Sequence, residues 1–196
     1  MIFVSAGHHQ QAQGAAHGLF SEWREAQVWQ SLLVSQLAYH GLDVMPVPSG
    51  TINDKAEFIN QYCDSSDLAL EIHFNSQQQK GHVIGQGGEA LFHPACAPGR
   101  LAAQALQGAV SVVFSLDGNA VEGWFRGNPD NGLDWFLDRV RCAAVIIAPD
   151  YVEREAVIVQ NRESACRSMA KALAGLQNRE SACRSMAKAL AGLVGD

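Results

Sequence analysis

The sequence predicts an α/β fold: one domain with a mostly parallel, twisted sheet and helices on both faces. Between Ile2 and Asn75, short β-rich runs alternate with helical periods, the pattern of a sheet whose strands are joined by crossover helices. The run Asp67–Asn75 is apolar through its centre rather than alternating, as a strand covered on both faces must be. The chain has 196 residues, of which 47% are hydrophobic and 17% charged, enough for one real core with no linker-like stretch dividing it.

Ile2–Ala6 is the first strand, and residues 9–21, rich in Gln, Gly, Ala and His without a period, read as a loop. A helix then starts with Ser21 as candidate N-cap and Glu22 and Glu25 in the first turn. Ala26, Trp29, Leu32, Leu33, Gln36 and Leu37 give it a helical stripe, and Gly41 stops it. Leu42–Val47 returns to strand. Thr51–Cys63 is a second helix with Ala56, Phe58 and Ile59 as its apolar positions, and Asp67–Asn75 is the next strand. Residues 77–88 are polar and glycine-rich, a loop at the carboxyl end of that strand, where α/β proteins place their sites. Glu89–His93 reads as a strand, and Gly99–Phe114 as a helix with Leu101, Ala105 and Val112 inward. Residues 115–131 form a turn-rich excursion holding Trp124 and Arg126. Leu133–Val140 is a short helix, Ala143–Ala148 an apolar strand ending at Pro149, and the remainder after Tyr151 is helical.

A net charge of −6 argues against a nucleic-acid partner, which calls for a basic face, and no run is long and apolar enough for membrane insertion. Five cysteines, an odd number at irregular spacing, read as free thiols of a protein made in a reducing compartment. The first residues enter a strand at once, so synthesis in the cytoplasm without a signal peptide is expected.

Chemistry concentrates in three places. His8 follows Gly7 where the first strand breaks, Glu22 opens the first helix, and His73 ends the strand in Glu71-Ile72-His73-Phe74-Asn75. Two imidazoles and one carboxylate from separate elements form a zinc site that keeps a position open, the catalytic pattern, whereas structural zinc closes its shell, usually with cysteines. The competing reading makes His8 and His73 ordinary strand-end histidines. Glu25, one turn beyond Glu22, is an alternative to it as the third ligand. His9, His17, His82 and His93 read as surface or packing residues.

Gly7-His8, Gly14-Ala15, Gly18, Glu22 and Ile72-His73-Phe74-Asn75 together resemble the zinc-dependent N-acetylmuramoyl-L-alanine amidases, including phage endolysins of that type. The resemblance spans Ile2 to about Leu176 and rests on short motifs in the right order and spacing. It implies a peptidoglycan hydrolase (EC 3.5.1.28) that cleaves the amide between N-acetylmuramic acid and the first L-alanine of the stem peptide. It also implies Zn2+ held by His8, Glu22 and His73. Asn75 is a candidate substrate contact, and Trp124 and Arg126 are candidates for lining a glycan groove, although loop aromatics this isolated are more often local anchors. Such a protein would act on the cell wall after release from the cytoplasm. In the resembling enzymes a glutamate ends the last strand, three positions before an aromatic, and moves the proton between water and leaving amine. Val145-Ile146-Ile147 and Tyr151 set that register here, and the position falls on Ala148. Asp150 and Glu153 are near but out of register. Either a deliberate Glu-to-Ala change inactivates an otherwise intact enzyme, the reading the intact ligands favour, or the chain is a natural wall-binding or regulatory relative. An unrelated zinc peptidase using the same ligand set is a third reading.

Residues 160–176 recur without a change as 177–193. A perfect repeat indicates tandem duplication of the terminal helix, which divides the chain into a zinc amidase-like domain at 1–176 and a duplicate with a short tail at 177–196. Each copy carries one apolar stripe, Ala165, Met169, Ala172 and Leu173 or Ala182, Met186, Ala189 and Leu190. Seventeen residues at about 100° each put the two stripes about 100° apart, so one helix cannot bury both. The first copy is expected to dock and the second to extend or pack on a neighbouring molecule, a route to a dimer, with Gly175 as the break.

Overall fold

The structure is a computed structural model and describes residues 1–77, 88–115, 121–123 and 133–193. Its elements run β1 (Ile2–Ala6), β2 (Ala16–His17), β3 (Phe20–Ser21), α1 (Glu22–Tyr39), β4 (Val44–Pro46), α2 (Ile52–Tyr62) and β5 (Leu68–Ile72), then β6 (Glu89–Phe92), α3 (Ala97–Phe114), β7 (Val121–Gly123), α4 (Leu133–Arg139), β8 (Ala143–Ala148) and α5 (Glu155–Leu193). Six strands form one sheet in the order β4-β1-β5-β8-β6-β7, parallel except where β6 runs antiparallel to β8. The expected single α/β domain with a mostly parallel sheet and helices on both faces is what the chain forms.

Alternation along the strands sorts the core into two layers. Val4, Leu70, Ile72, Val145 and Ile147 face α1, α3 and α5 and pack with Trp29, Leu33, Leu106 and Met169. Phe3, Ala69, Ala144 and Ile146 face α2 and α4 and pack with Ile59 and Phe136. The chain leaves β1 through α1 to β4 at the sheet edge, then returns through α2 to β5 on the other side of β1. The carboxyl ends of β1 and β5 are therefore a topological switch point, where connections diverge and leave a crevice.

Local chemistry explains the helix ends. Thr51 and Asp54 make a full capping box on α2, while Ser21 precedes α1 without capping it, because its hydroxyl donates to Gln13 Oε1 at 3.0 Å. Three further expectations need correction. The segment 9–21 contains a small antiparallel ribbon, with Ala16 opposite Ser21 and His17 opposite Phe20. In α3, Leu101 and Val112 lie outward, 50% and 80% exposed, and the buried stripe is Ala102, Ala103, Leu106, Val110 and Phe114. That helix is apolar on several sides, so its period does not choose the inward one. Gly175 does not break α5, which continues to Leu193; an isolated helical glycine costs only about 1 kcal/mol. Ala165 of the first copy is fully buried and its duplicate Ala182 exposed.

Candidate metal centre at the carboxyl edge of the sheet

The β1–β5 pairing continues past the strand ends through a hydrogen bond from Gly7 N–H to Ile72 carbonyl at 2.7 Å, which sets His8 and His73 beside each other. Their ring centroids are 4.9 Å apart, edge to face. Glu22 comes from the first turn of α1, and one ligand atom from each of His8, Glu22 and His73 lies within 4.8 Å of the others. Among the described residues no other group of three such side chains meets this geometry. His8 sits at φ 61°, a left-handed conformation uncommon for a residue with a side chain, which aims its ring toward Glu22. A Cβ on Gly14, itself at φ 73°, would fall inside the His8 ring and the Glu22 carboxylate, so only glycine leaves the cradle open.

The carboxylate of Glu22 is fixed before any metal arrives. Its Oε1 accepts from Phe74 N–H at 3.0 Å and lies 2.9 Å from His73 Nδ1; its Oε2 accepts from Ala15 N–H at 2.7 Å and lies 3.0 Å from His8 Nε2. Burial pushes the Glu22 carboxyl up, but the hydrogen bonds and charge of His73 and His8 outweigh it and hold the group far below the usual carboxylate range. Glu25, the alternative ligand, is engaged elsewhere. It accepts from Trp29 Nε1 at 3.0 Å and pairs with Arg162 of α5 at 3.5 Å.

A second carboxylate stands behind His73. Glu71, two residues earlier on the same face of β5, places Oε2 3.1 Å from His73 Nε2. Its Oε1 receives the Lys55 ammonium at 2.9 Å and the Ser5 hydroxyl at 3.2 Å, and Lys55 also donates to the Ala6 carbonyl. Lys55 and Glu71 are 1% and 2% exposed, an ion pair that costs about 3–5 kcal/mol to break by removing one partner. Burial pushes the His73 imidazole down, yet hydrogen bonds to Glu22 and Glu71 raise it to about 9. With carboxylates on both nitrogens the ring is a cation that donates twice. The donor set fits zinc on this geometry: losing the Nδ1 proton leaves that nitrogen facing Glu22, while Nε2–H stays on Glu71 as the second hydrogen bond that orients a metal-bound histidine.

Ala148 ends β8 beside this group. The hydrogen bond from His73 N–H to Ile147 carbonyl at 2.8 Å continues the β5–β8 register, so Ala148 is the neighbour of His73 on the same sheet face. Asn75 lies one pleat beyond and donates from Nδ2 to Glu89 Oε2 at 3.4 Å. Trp124, Arg126 and His82 lie outside the described residues. His9, His17 and His93 are paired away from the site, with Gln11, Glu155 and Asp138. The sequence reading missed Lys55, Glu71 and Glu89; a lone acid in an otherwise apolar strand, two residues before a candidate ligand, was the available signal for Glu71.

No family model matches the chain, and no curated protein does. Solved structures do. The fold is shared with N-acetylmuramoyl-L-alanine amidases. The enzyme of that name from Clostridium difficile 630 superposes with a TM-score of 0.73 at 14% identity, over 90% of this chain and 96% of that one. A Neisseria meningitidis protein assigned to the same activity gives 0.71 at 23% identity, over 90% and 95%. The catalytic domain of the CD27L endolysin, which targets Clostridia difficile, gives 0.67 at 16%, over 87% and 94%. At these identities the likeness is one of fold.

Proposed function

We propose that the chain is a zinc-dependent peptidoglycan amidase that opens the bond between N-acetylmuramic acid and the L-alanine of the stem peptide. The observation that carries this is the His8–Glu22–His73 group at the switch point of a fold shared with such amidases. His8, Glu22 and His73 are the residues that hold Zn2+. When bound, the metal supplies Lewis acidity toward the scissile carbonyl and the attacking water. Glu71 and Lys55 hold the His73 ring in orientation, and Phe74 N–H and Ala15 N–H hold Glu22. Asn75 borders the site, and Trp124 and Arg126 are proposed contacts to the glycan.

The step this constellation handles poorly is proton transfer. Ala148 stands beside His73 with a methyl group where a titrating side chain belongs, so the chain binds its substrate and turns it over slowly. Losing a general acid–base group costs on the order of 100- to 10,000-fold. Ala148→Glu should therefore raise stem-peptide release from purified sacculi at least about 100-fold, while Ala148→Gln, which adds bulk without a titrating group, should not. A Glu variant that holds zinc and stays inert would shift the reading to a wall-binding protein on the same scaffold, which Ala148 itself favours. Products distinguish an unrelated zinc peptidase, because only an amidase frees an intact stem peptide from the glycan. The extended duplicate of α5 gives such a protein a route to self-association.

A further inference from the structure

The sheet brings a different carboxylate to the place Ala148 leaves bare. Glu89 opens β6, the strand that runs antiparallel to β8, and pairs directly with Ala148. Directly opposed residues of an antiparallel pair point to the same face with Cβ atoms about 4.5–5.5 Å apart. The face is that of His73 and Glu71, since Leu91, two residues on, pairs with Ile146 in the layer facing α2 and α4. In sheet order β8 lies between β5 and β6, so the contact from Glu89 Oε2 to Asn75 Nδ2 reaches across the end of β8, where Ala148 offers only a methyl group. The backbone before Glu89 is pinned. Gly88 carbonyl accepts from the buried Gln107 Nε2 at 2.6 Å, and a Cβ on Gly88 would lie 2.9 Å from the Ala148 oxygen and collide with the Pro149 carbonyl. Gly88 thus permits a close approach that seats Glu89 against the end of β8.

Two other carboxylates lie near the end of β8 but out of register with it. Asp150 is fully buried, with Oδ1 accepting from Tyr151 N–H and from Arg154, and Oδ2 enclosed away from solvent. Glu153 receives the Ser76 hydroxyl at 2.7 Å and the Gln77 N–H at 3.3 Å. Glu89 is half-buried and in register with Ala148, on the same face of the sheet.

We propose that Glu89 is the catalytic carboxylate that carries the remaining turnover of this chain, moving the proton from the strand next to the one that ordinarily supplies the group. The inference rests on the amidase reading above. In the reaction, Glu89 takes one proton from the attacking water as the new C–O bond forms at the lactyl carbonyl. It passes that proton to the alanine nitrogen as the C–N bond breaks, so the water is divided between a carboxylic acid on the muramic acid and a free amine on the stem peptide.

The test uses the full zinc-loaded chain and three variants: Glu89→Gln, Ala148→Glu, and both together. Stem-peptide release, zinc per chain and affinity for acetohydroxamate by calorimetry are measured on each. A hydroxamate chelates zinc and gives its O–H proton to a neighbouring acceptor, so its affinity reports the carboxylate without turnover. Glu89→Gln should keep its zinc, lose on the order of tenfold in hydroxamate affinity, and fall at least about 100-fold below the parent in release. The double variant should match Ala148→Glu, which also shows that the Glu89→Gln change is compatible with folding. Parent-like release and hydroxamate affinity in Glu89→Gln, or a parent with no release while Ala148→Glu is active, would overturn the role of Glu89 and leave the amidase reading standing. Zinc-loaded Ala148→Glu and double variants that both release nothing would instead overturn the amidase reading, and this proposal with it.

Discussion

Because His73 has a carboxylate against each ring nitrogen, a metal ion that joins Glu22 must displace the proton on Nδ1, whereas the proton on Nε2 can stay with Glu71. The two acids would thus divide their work: on the proposed reading Glu22 would share the metal and Glu71 would set which nitrogen is presented. From this follows an ordered set of zinc affinities. The purified protein should carry about one zinc, His73→Ala and Glu22→Ala should lose most of it, and Glu71→Gln should bind about 10- to 100-fold more weakly. Glu25→Ala should keep near-full occupancy, since that side chain is bound to Trp29 and Arg162. Metal analysis after dialysis against graded chelator checks the series; equal losses from Glu22→Ala and Glu25→Ala would sink the assignment. His8, Glu22 and His73 were legible in the sequence because each sits at an element boundary marked by local signals, a glycine after a strand or an acid at a helix start. Glu71, Lys55 and Glu89 were not, because their roles exist only once β5 packs on α2 and β6 turns antiparallel against β8.

At the level of elements, α5 shows how far a helical pattern alone can be read. Its first copy is legible as a docking helix, and Ala165, Cys166, Met169, Ala170 and Leu173 are all buried between α1 and α3. The expected break at Gly175 failed because nothing forces a helix to end when it leaves its groove; Gly175 has no neighbour against which an added Cβ would clash, and good helix formers follow it. The α3 stripe failed for the complementary reason. Leu101 and Val112 are as apolar as Leu106 and Val110, so only the position of the sheet and α5 decides which pair is covered. The element-level prediction concerns the duplicate. Burial of one stripe satisfies the groove, and the second copy begins where the helix has already left it. Deleting residues 177–193 should leave the melting temperature within about 2 °C and zinc content unchanged, the size of effect expected when the groove is already filled by the first copy. A drop of more than about 5 °C by calorimetry would show that the second copy contributes to the core.

Across the whole molecule, the switch point concentrates charge in a crevice that the fold must stabilise without metal before it can accept one. The sign of that contribution follows from the ring and its two acids. Burial opposes the charge on His73, but Glu22 and Glu71 raise its imidazole from the ordinary 6.5 to about 9, so the folded state holds the proton more tightly than the unfolded chain. Its stabilisation is fully present below pH 6.5 and is lost as pH rises through 9. The two carboxyls run the other way. Burial raises them, and their hydrogen bonds and charge partners, His73 and His8 for Glu22 and chiefly Lys55 for Glu71, lower them further, so their contribution is present above pH 4.5 and lost on acidification. The metal-free protein should therefore be most stable between about pH 4.5 and 6.5, and its denaturation midpoint in excess chelator should fall from pH 6.5 to 9. If zinc takes the place of the Nδ1 proton, the loaded protein should lose most of that alkaline slope, and His73→Gln without metal should be flatter than the parent over the same range. Urea titrations at matched ionic strength measure all three. A parent whose metal-free midpoint rises from pH 6.5 to 9, or whose slope survives unchanged in His73→Gln, would mean that His73 is neutral in the fold and that Glu71 does not hold its ring as a cation.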